Sequence, residues 1–343
     1  MARQKALSIG AFLHSFAQPT VLQAIGAAKK AGIKNVQLGP VTDEYLVGGD
    51  APDRRGDIVN ALREASVVPV EGCFCFETPG GRGGVEVYAS IESIARTGGF
   101  GYVGDCTSQV LGERLQLAKD HVDLFKYLGR SDVGVPRKRV ISTHVGFFNR
   151  EDQEGQIKDN VRDLLRYCAR NGTYLAIETG SERMEELVDF IEAMEKEPGI
   201  KGRLGINYDP ANFLMYGTQD PLEALGYLKN NDYRRLLFGV HIKDAVEGEI
   251  IGVAKGDWKG GGEVPVGSGS VKWAQTMLLL YELGYKGPLI IEREGELAAD
   301  TGKIVPFGPG ETAQPGKRAY DIKHAAVNTE RAQASARSIL LAS

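Results

Sequence analysis

Four apolar runs in the second half of the chain each lead into a titratable residue. Glu178 closes YLAIE, Asp209 closes LGINYD, His241 follows FGV and Glu292 closes LIIE. A polar group delivered through apolar residues arrives in a buried place, where an unpaired charge is very costly. Three carboxylates and one imidazole around a divalent cation remove that cost. Oxygen-rich ligation with a single imidazole suits Mn2+, Mg2+ or Co2+ better than a thiolate-seeking ion. For any one of these residues alone, an ion pair with a nearby Arg or Lys is the competing reading. Four of them at the ends of consecutive runs favour the metal.

Other candidates lie around these four. His144 follows VIST and is read either as a core histidine or as a general acid or base beside the cation. His14, near the end of the first apolar run, reads first as structural and second as a substrate contact. Asn212 and Lys243 fall just past Asp209 and His241. Both are candidates for bonding a hydroxylated substrate, with a helix cap (Asn212) and a salt bridge (Lys243) as alternatives. His121 and His324 sit in helical patterns and read as structural or surface residues.

The elements that must carry these residues alternate along the chain. Strand-like runs occupy 6–13, 35–40, 67–76, 139–147, 173–180, 203–210, 236–244 and 288–294. Helical patterns fall at 20–32, 56–65, 111–129, 155–172, 182–197, 221–230, 271–284 and 320–342. Strands alternating with helices form parallel sheets, and eight such units predict an α/β fold of the (β/α)8 TIM-barrel type. An open doubly wound sheet is the competing architecture. In a closed barrel, strand ends five to eight converge on one side of the mouth, where active sites lie.

The chain of 343 residues is longer than a minimal barrel. We expect a single domain over 1–343, with a barrel core at about 5–295 and a C-terminal loop and helix at 296–343. The surplus falls in segments 77–105, 245–269 and 295–317, after the third, seventh and eighth strands. They hold much of the 44 glycines and read as long active-site loops. GTQDP and GSGSVKW lack the GK[ST] ending of a P-loop. The second is expected to form a tight turn with Ser270 as the N-cap of the next helix.

Composition excludes several classes. Net charge is −4 without a dense Lys/Arg stripe, which argues against nucleic acid as a partner. Cys73, Cys75, Cys106 and Cys168 form no CxxC pair, so neither a disulfide scaffold nor a thiolate zinc site is expected. No apolar run is long enough for a signal peptide or a membrane span. The expected location is cytoplasmic.

The segments AIETG, GINYDPANF, VHIKDA, EVPVGSGSVKW and GPLIIERE resemble the sugar isomerase/epimerase-type (xylose-isomerase-like) TIM-barrel superfamily. That group includes ketose 3-epimerases and inosose dehydratases. The resemblance runs from about residue 5 to 295, with its motifs within 139–294. It implies that Glu178, Asp209, His241 and Glu292 hold a divalent metal, Mn2+ first, with Mg2+, Co2+ or Zn2+ as alternatives. It also implies acid/base roles for the two glutamates. Two positions depart from the ketose epimerases: Asn212 stands where they carry a histidine, and an arginine after the seventh-strand histidine is missing. THVGFF with His144, the insertion after the seventh strand and the extra length look more like the C-glycoside deglycosidase catalytic (alpha) subunits. That likeness implies a 3-oxo-glucoside substrate, a small β-rich partner subunit and an oligomer.

Either branch implies the same first step, removal of a proton α to a sugar carbonyl. A deglycosidase then expels the group β to the carbonyl, with His144 serving the leaving aglycone or a substrate hydroxyl. An isomerase or epimerase returns the proton elsewhere or on the opposite face. A sugar-binding barrel without catalysis is the non-enzyme alternative. A DNA-repair endonuclease of this fold would need a histidine cluster and a basic face, which five histidines and the negative charge do not supply.

Overall fold

The structure is a computed structural model that describes residues 5–39, 41–46, 53–74, 108–145, 154–180, 182–247, 249–251, 257–259, 262–297, 304–306 and 315–342. The expected loop at 77–105, together with Cys75 and Cys106, lies outside the described residues. Eight parallel strands close into a barrel: β1 (Ile9–Phe12), β2 (Asn35–Leu38), β3 (Val68–Cys73), β4 (Arg139–Thr143), β5 (Thr173–Glu178), β6 (Leu204–Tyr208), β7 (Leu237–Ile242) and β12 (Leu289–Ile291). Each pairs with its sequence neighbour in the barrel, and β12 returns to β1 through Ile9↔Leu289 and Gly10↔Ile290. The open sheet is thereby excluded, and all eight expected strands are present.

The helices are α1 (Val21–Ala31), α2 (Arg55–Ala65), α3 (Ser108–Leu128), α4 (Glu154–Asn171), α5 (Met184–Glu195), α6 (Pro210–Tyr216), α7 (Pro221–Asn230), α8 (Trp273–Glu282) and α9 (Pro315–Ala342). Local signals explain their limits. Thr20 caps α1 by accepting from the Gln23 N–H, and Gly32 ends it with φ +77°. Asp220 caps α7 by accepting from Leu222 and Glu223 N–H, with Pro221 in the first turn. GTQDP is therefore a capped helix start. The C-terminal helix α9 packs on α1 and α8 and completes the outer ring. Its buried Gln333 accepts from the Leu7 N–H at 2.7 Å and the Tyr281 hydroxyl at 2.8 Å.

One large apolar core lies between the strands and the helices. A second, small cluster of Val140, Ala176 and Phe238, backed by Tyr174, belongs to inward strand positions. The Lys138 ammonium sits 3.1 Å from the centroid of the Phe238 ring. Of the two later insertions, the described parts form antiparallel pairs. These are β8 (Asp244–Val246) with β11 (Gly262–Val264), β9 (Glu249–Ile251) with β10 (Asp257–Lys259), and β13 (Gly295–Leu297) with β14 (Ile304–Pro306).

Ser270 does not cap a helix. Helix α8 begins at Trp273, and its N-cap position, Lys272, makes no side-chain cap bond. The glycine-rich turn is held instead by Asp244, whose buried carboxylate accepts from the N–H groups of Ala245, Gly267, Gly269 and Val271 and from the Trp273 indole. A side chain at 269 would put its Cβ 2.2 Å from Asp244 Oδ1, which explains the glycine. Asp244→Ala would leave these five donors without their acceptor. It should cost at least about 3 kcal/mol of stability, read as a lower urea midpoint. An unchanged midpoint would remove Asp244 as the clamp of this turn.

Candidate metal and acid/base centre

The site forms at the C-terminal ends of β5, β6, β7 and β12. Glu178 is the last residue of β5, His241 lies in β7, and Asp209 and Glu292 follow β6 and β12 directly. All four are buried, and one ligand atom of each lies within 4.8 Å of the others. His241 Nδ1 is 2.9 Å from Glu178 Oε1, 3.0 Å from Glu292 Oε2 and 3.9 Å from Asp209 Oδ2. The structure therefore brings together the four residues singled out as metal ligands in the sequence.

Asp209 divides its carboxylate between two tasks. Oδ1 caps α6, accepting from the N–H of Ala211 at 2.8 Å and of Asn212 at 3.2 Å. Oδ2 faces the cluster and has no hydrogen-bond partner among the described residues. A buried carboxylate oxygen without a donor is costly; a cation between the four ligand atoms would satisfy it. The donor set and this orphan oxygen both fit a divalent metal.

The electrostatics follow from the crowding. Burial raises Asp209 to about 8. Burial alone would lower His241, but Glu292 and Glu178 outweigh it and hold the imidazole well above its usual range. Burial would raise Glu292, yet His241 and Lys243 keep it well below the usual carboxylate range. Lys243 is likewise desolvated, but Glu292, Glu294 and Asp209 raise it well above its ordinary value. Its ammonium lies 3.1 Å from Glu292 and 3.7 Å from Asp209, and pairs closely with Glu294. Lys243 thus makes the salt bridges that were one of its two readings.

The remaining candidates ring the cluster. His144 Nε2 is 3.4 Å from Glu178 Oε2, and its side chain is 26% exposed, against 5% for Glu178. Burial lowers its pKa, with Glu178 and Glu292 opposing the shift, so the ring is neutral at neutral pH. Asn212 donates to Glu178 Oε1 at 3.4 Å and to the Thr179 carbonyl at 3.1 Å, so it positions Glu178. His14 lies beside Phe12, with ring centroids 5.8 Å apart and the planes tilted by 40°. Burial lowers its pKa, and Arg318, Glu292 and Lys243 are the charges that act on it. His121 is buried in α3, with Nδ1 2.9 Å from the Leu117 carbonyl, and His324 lies on the exposed face of α9 beside Asn328.

Gln37, Glu71, Ser142 and Asn207 were not anticipated. They are buried inside the barrel beneath His241. Their signal was present: each is a polar residue inside a strand, with an apolar residue just before it in β2, β3, β4 and β6.

Comparison with known proteins agrees with this architecture. The family model described as xylose isomerase-like TIM barrel matches residues 25–304. No curated protein matches the sequence. Among solved structures, a xylose isomerase domain protein from Planctomyces limnophilus is 24% identical. The match covers 96% of this chain and 98% of that one, with a TM-score of 0.67. A xylose isomerase-like TIM barrel protein from Mycobacterium smegmatis, in complex with magnesium, is 15% identical over 96% and 98% of the two chains (TM-score 0.58). A 3-keto-D-glucoside 4-epimerase from E. coli is 16% identical over 94% and 100% (TM-score 0.57). At these identities the likeness is one of fold.

A metal bound at this cluster would compete with protons, which gives a pH dependence. Asp209, raised to about 8, and His241, raised well above 6.5, must both lose protons to become ligands. Below these values protons hold the site. Affinity for Mn2+ should therefore rise from pH 6 to pH 9, by about tenfold per pH unit for each proton displaced. Calorimetric titration in buffers of different ionisation heat reads both affinity and proton release. A flat profile with no released protons would contradict this competition.

Proposed function

The chain belongs to the xylose isomerase-like TIM barrel family, and on that premise we propose that it is a divalent-metal-dependent enzyme removing a proton α to a sugar carbonyl. The observation that carries this reading is the two-sided carboxylate of Glu178. One oxygen lies 2.9 Å from the ligand histidine and the other 3.4 Å from His144. A divalent ion, Mn2+ first on the donor chemistry, would polarise the sugar carbonyl at this point. The 3-keto-glucoside epimerase and the L-ribulose 3-epimerase among its structural neighbours support a keto-sugar substrate.

The chain's own residues then divide the proton work. Glu292 is held by the Lys243 ammonium at 3.1 Å, which makes it a poor proton acceptor. Glu178 is the better base. Neutral, partly exposed His144 can take a proton from Glu178 and deliver it toward the mouth. Asn212 keeps Glu178 oriented.

The preferred reaction is β-elimination from a 3-oxo-glucoside. The C2 proton goes to the base and the C1–aglycone bond breaks. The aglycone leaves with the bonding pair and gains a proton by way of His144, while the sugar keeps a C1=C2 double bond. His144 and the departures from the ketose epimerase pattern support this reading. Epimerisation is the second reading, favoured by the E. coli neighbour; there the proton returns to carbon and no bond to the aglycone breaks.

Metal-loaded protein, alone and with any co-encoded small partner, should release aglycone from a 3-oxo-glucoside in D2O, followed by NMR. Deuterium entering a sugar C–H without release would establish the epimerase instead. His144→Ala should lower turnover by about 10²–10⁴-fold while leaving bound metal unchanged. Wild-type turnover in that variant would take His144 out of the reaction. A Glu178→Gln variant that keeps full activity, in protein shown to bind no metal, would exclude both chemistries.

A further inference from the structure

Beneath the cluster, His241 presents its other nitrogen to a buried polar layer. Nε2 is 3.1 Å from Gln37 Oε1 and 2.9 Å from the Asn207 amide nitrogen. The orientation of Gln37 is set from behind. Its Nε2 lies 3.0 Å from Ser142 Oγ and 3.4 Å from Glu71 Oε2, so its oxygen must face the imidazole. An amide oxygen there needs a hydrogen on Nε2. Two other atoms are unsatisfied: Asn207 Oδ1 and Glu71 Oε1 lack hydrogen-bond partners among the described residues. Both border the space left by the missing side chain of Gly239, where a Cβ would be 2.6 Å from the first and 3.2 Å from the second.

A half-turn of the Asn207 amide removes the conflict at His241 Nε2. Its oxygen then accepts from His241 Nε2–H, and its nitrogen turns toward Glu71 Oε1. We infer that Gln37 and Asn207, backed by Ser142 and Glu71, are positioning residues that keep a hydrogen on His241 Nε2 and hold its Nδ1 lone pair on the carboxylate cluster. This rests on the reading of that cluster as a metal site. The physical logic is general: a ligand imidazole is fixed in tautomer and orientation by an acceptor on its second nitrogen. What is particular here is that the acceptors are neutral amides from β2 and β6, locked in turn by Glu71 and Ser142 from β3 and β4.

Two measurements test it. In wild-type protein labelled with 15N-histidine and loaded with Zn2+, long-range 1H–15N spectra should show His241 protonated at Nε2 and metal-bound at Nδ1. Gln37→Met removes the acceptor at similar volume and should weaken Zn2+ binding about 10–100-fold. Gln37→Glu restores an acceptor oxygen and should bind within about threefold of wild type. A residue that only fills space would give the two variants equal affinity. Wild-type affinity in folded Gln37→Met, or an unprotonated Nε2 in the wild-type spectrum, overturns the inference while leaving the metal site standing. If Gln37→Met does not fold, Ser142→Ala, which frees the Gln37 amide to turn, should weaken Zn2+ binding in its place, and wild-type affinity in that folded variant overturns the inference. Absence of Zn2+ binding by wild-type protein overturns both the inference and the metal reading.

Discussion

Three carboxylates and an imidazole share a space in which one ligand atom of each lies within 4.8 Å of the rest. Their mutual repulsion and lost hydration are the constraint that the surrounding structure answers. Lys243 brings a buried positive charge against Glu292 and Asp209. Asn212 and the start of α6 supply donors to Glu178 and Asp209. None of these supplies a hydrogen bond to Asp209 Oδ2, and a bound cation would meet this residual demand.

Barrel closure is what makes the crowding achievable. Glu178, Asp209, His241 and Glu292 are separated by roughly thirty to fifty residues from one to the next, yet parallel register sets their strand ends side by side. The helices following the strands bear on the site too. Asp209 is both the cap of α6 and a ligand candidate, so the start of that helix and the geometry of the cluster are set by one side chain. Replacing it would disturb both at once, whereas Glu178 is held from outside by Asn212 and can be changed with less effect on the backbone.

The strands and long helices were legible because each is a local run with a period or a stop signal of its own. YLAIE and LLFGVHIKD declare burial, and Gly32 declares an end. The quartet was legible for the same reason: a charge that ends an apolar run stands out in one dimension. Helix α6 was not read. Its seven residues are too few to show a period, although Asp209 followed by Pro210 is a cap-and-first-turn signal. Ser270 was misread because a serine before a helical pattern is a good cap in isolation. The turn is instead governed by Asp244, more than twenty residues earlier. Gln37 and Asn207 escaped for a related reason: their importance comes from His241, and Gln37 lies 204 positions from it. Such a contact exists only after the barrel closes.

The division of labour between cluster and rim bears on which reaction follows. Everything that touches His241 is deeply buried and common to proton removal in either direction. A leaving group must depart toward solvent, so the residue that serves it must be reachable from the cluster and from the mouth together. His144 meets both demands: it is within 3.4 Å of Glu178 and keeps 26% of its side chain exposed. A proton returned to carbon needs no exit to solvent, but inverting a centre needs a donor on the face opposite the base. An imidazole beside Glu178 that also opens to solvent serves a departing group directly. That exposure of His144, rather than the ligand set, is what supports the proposed lyase.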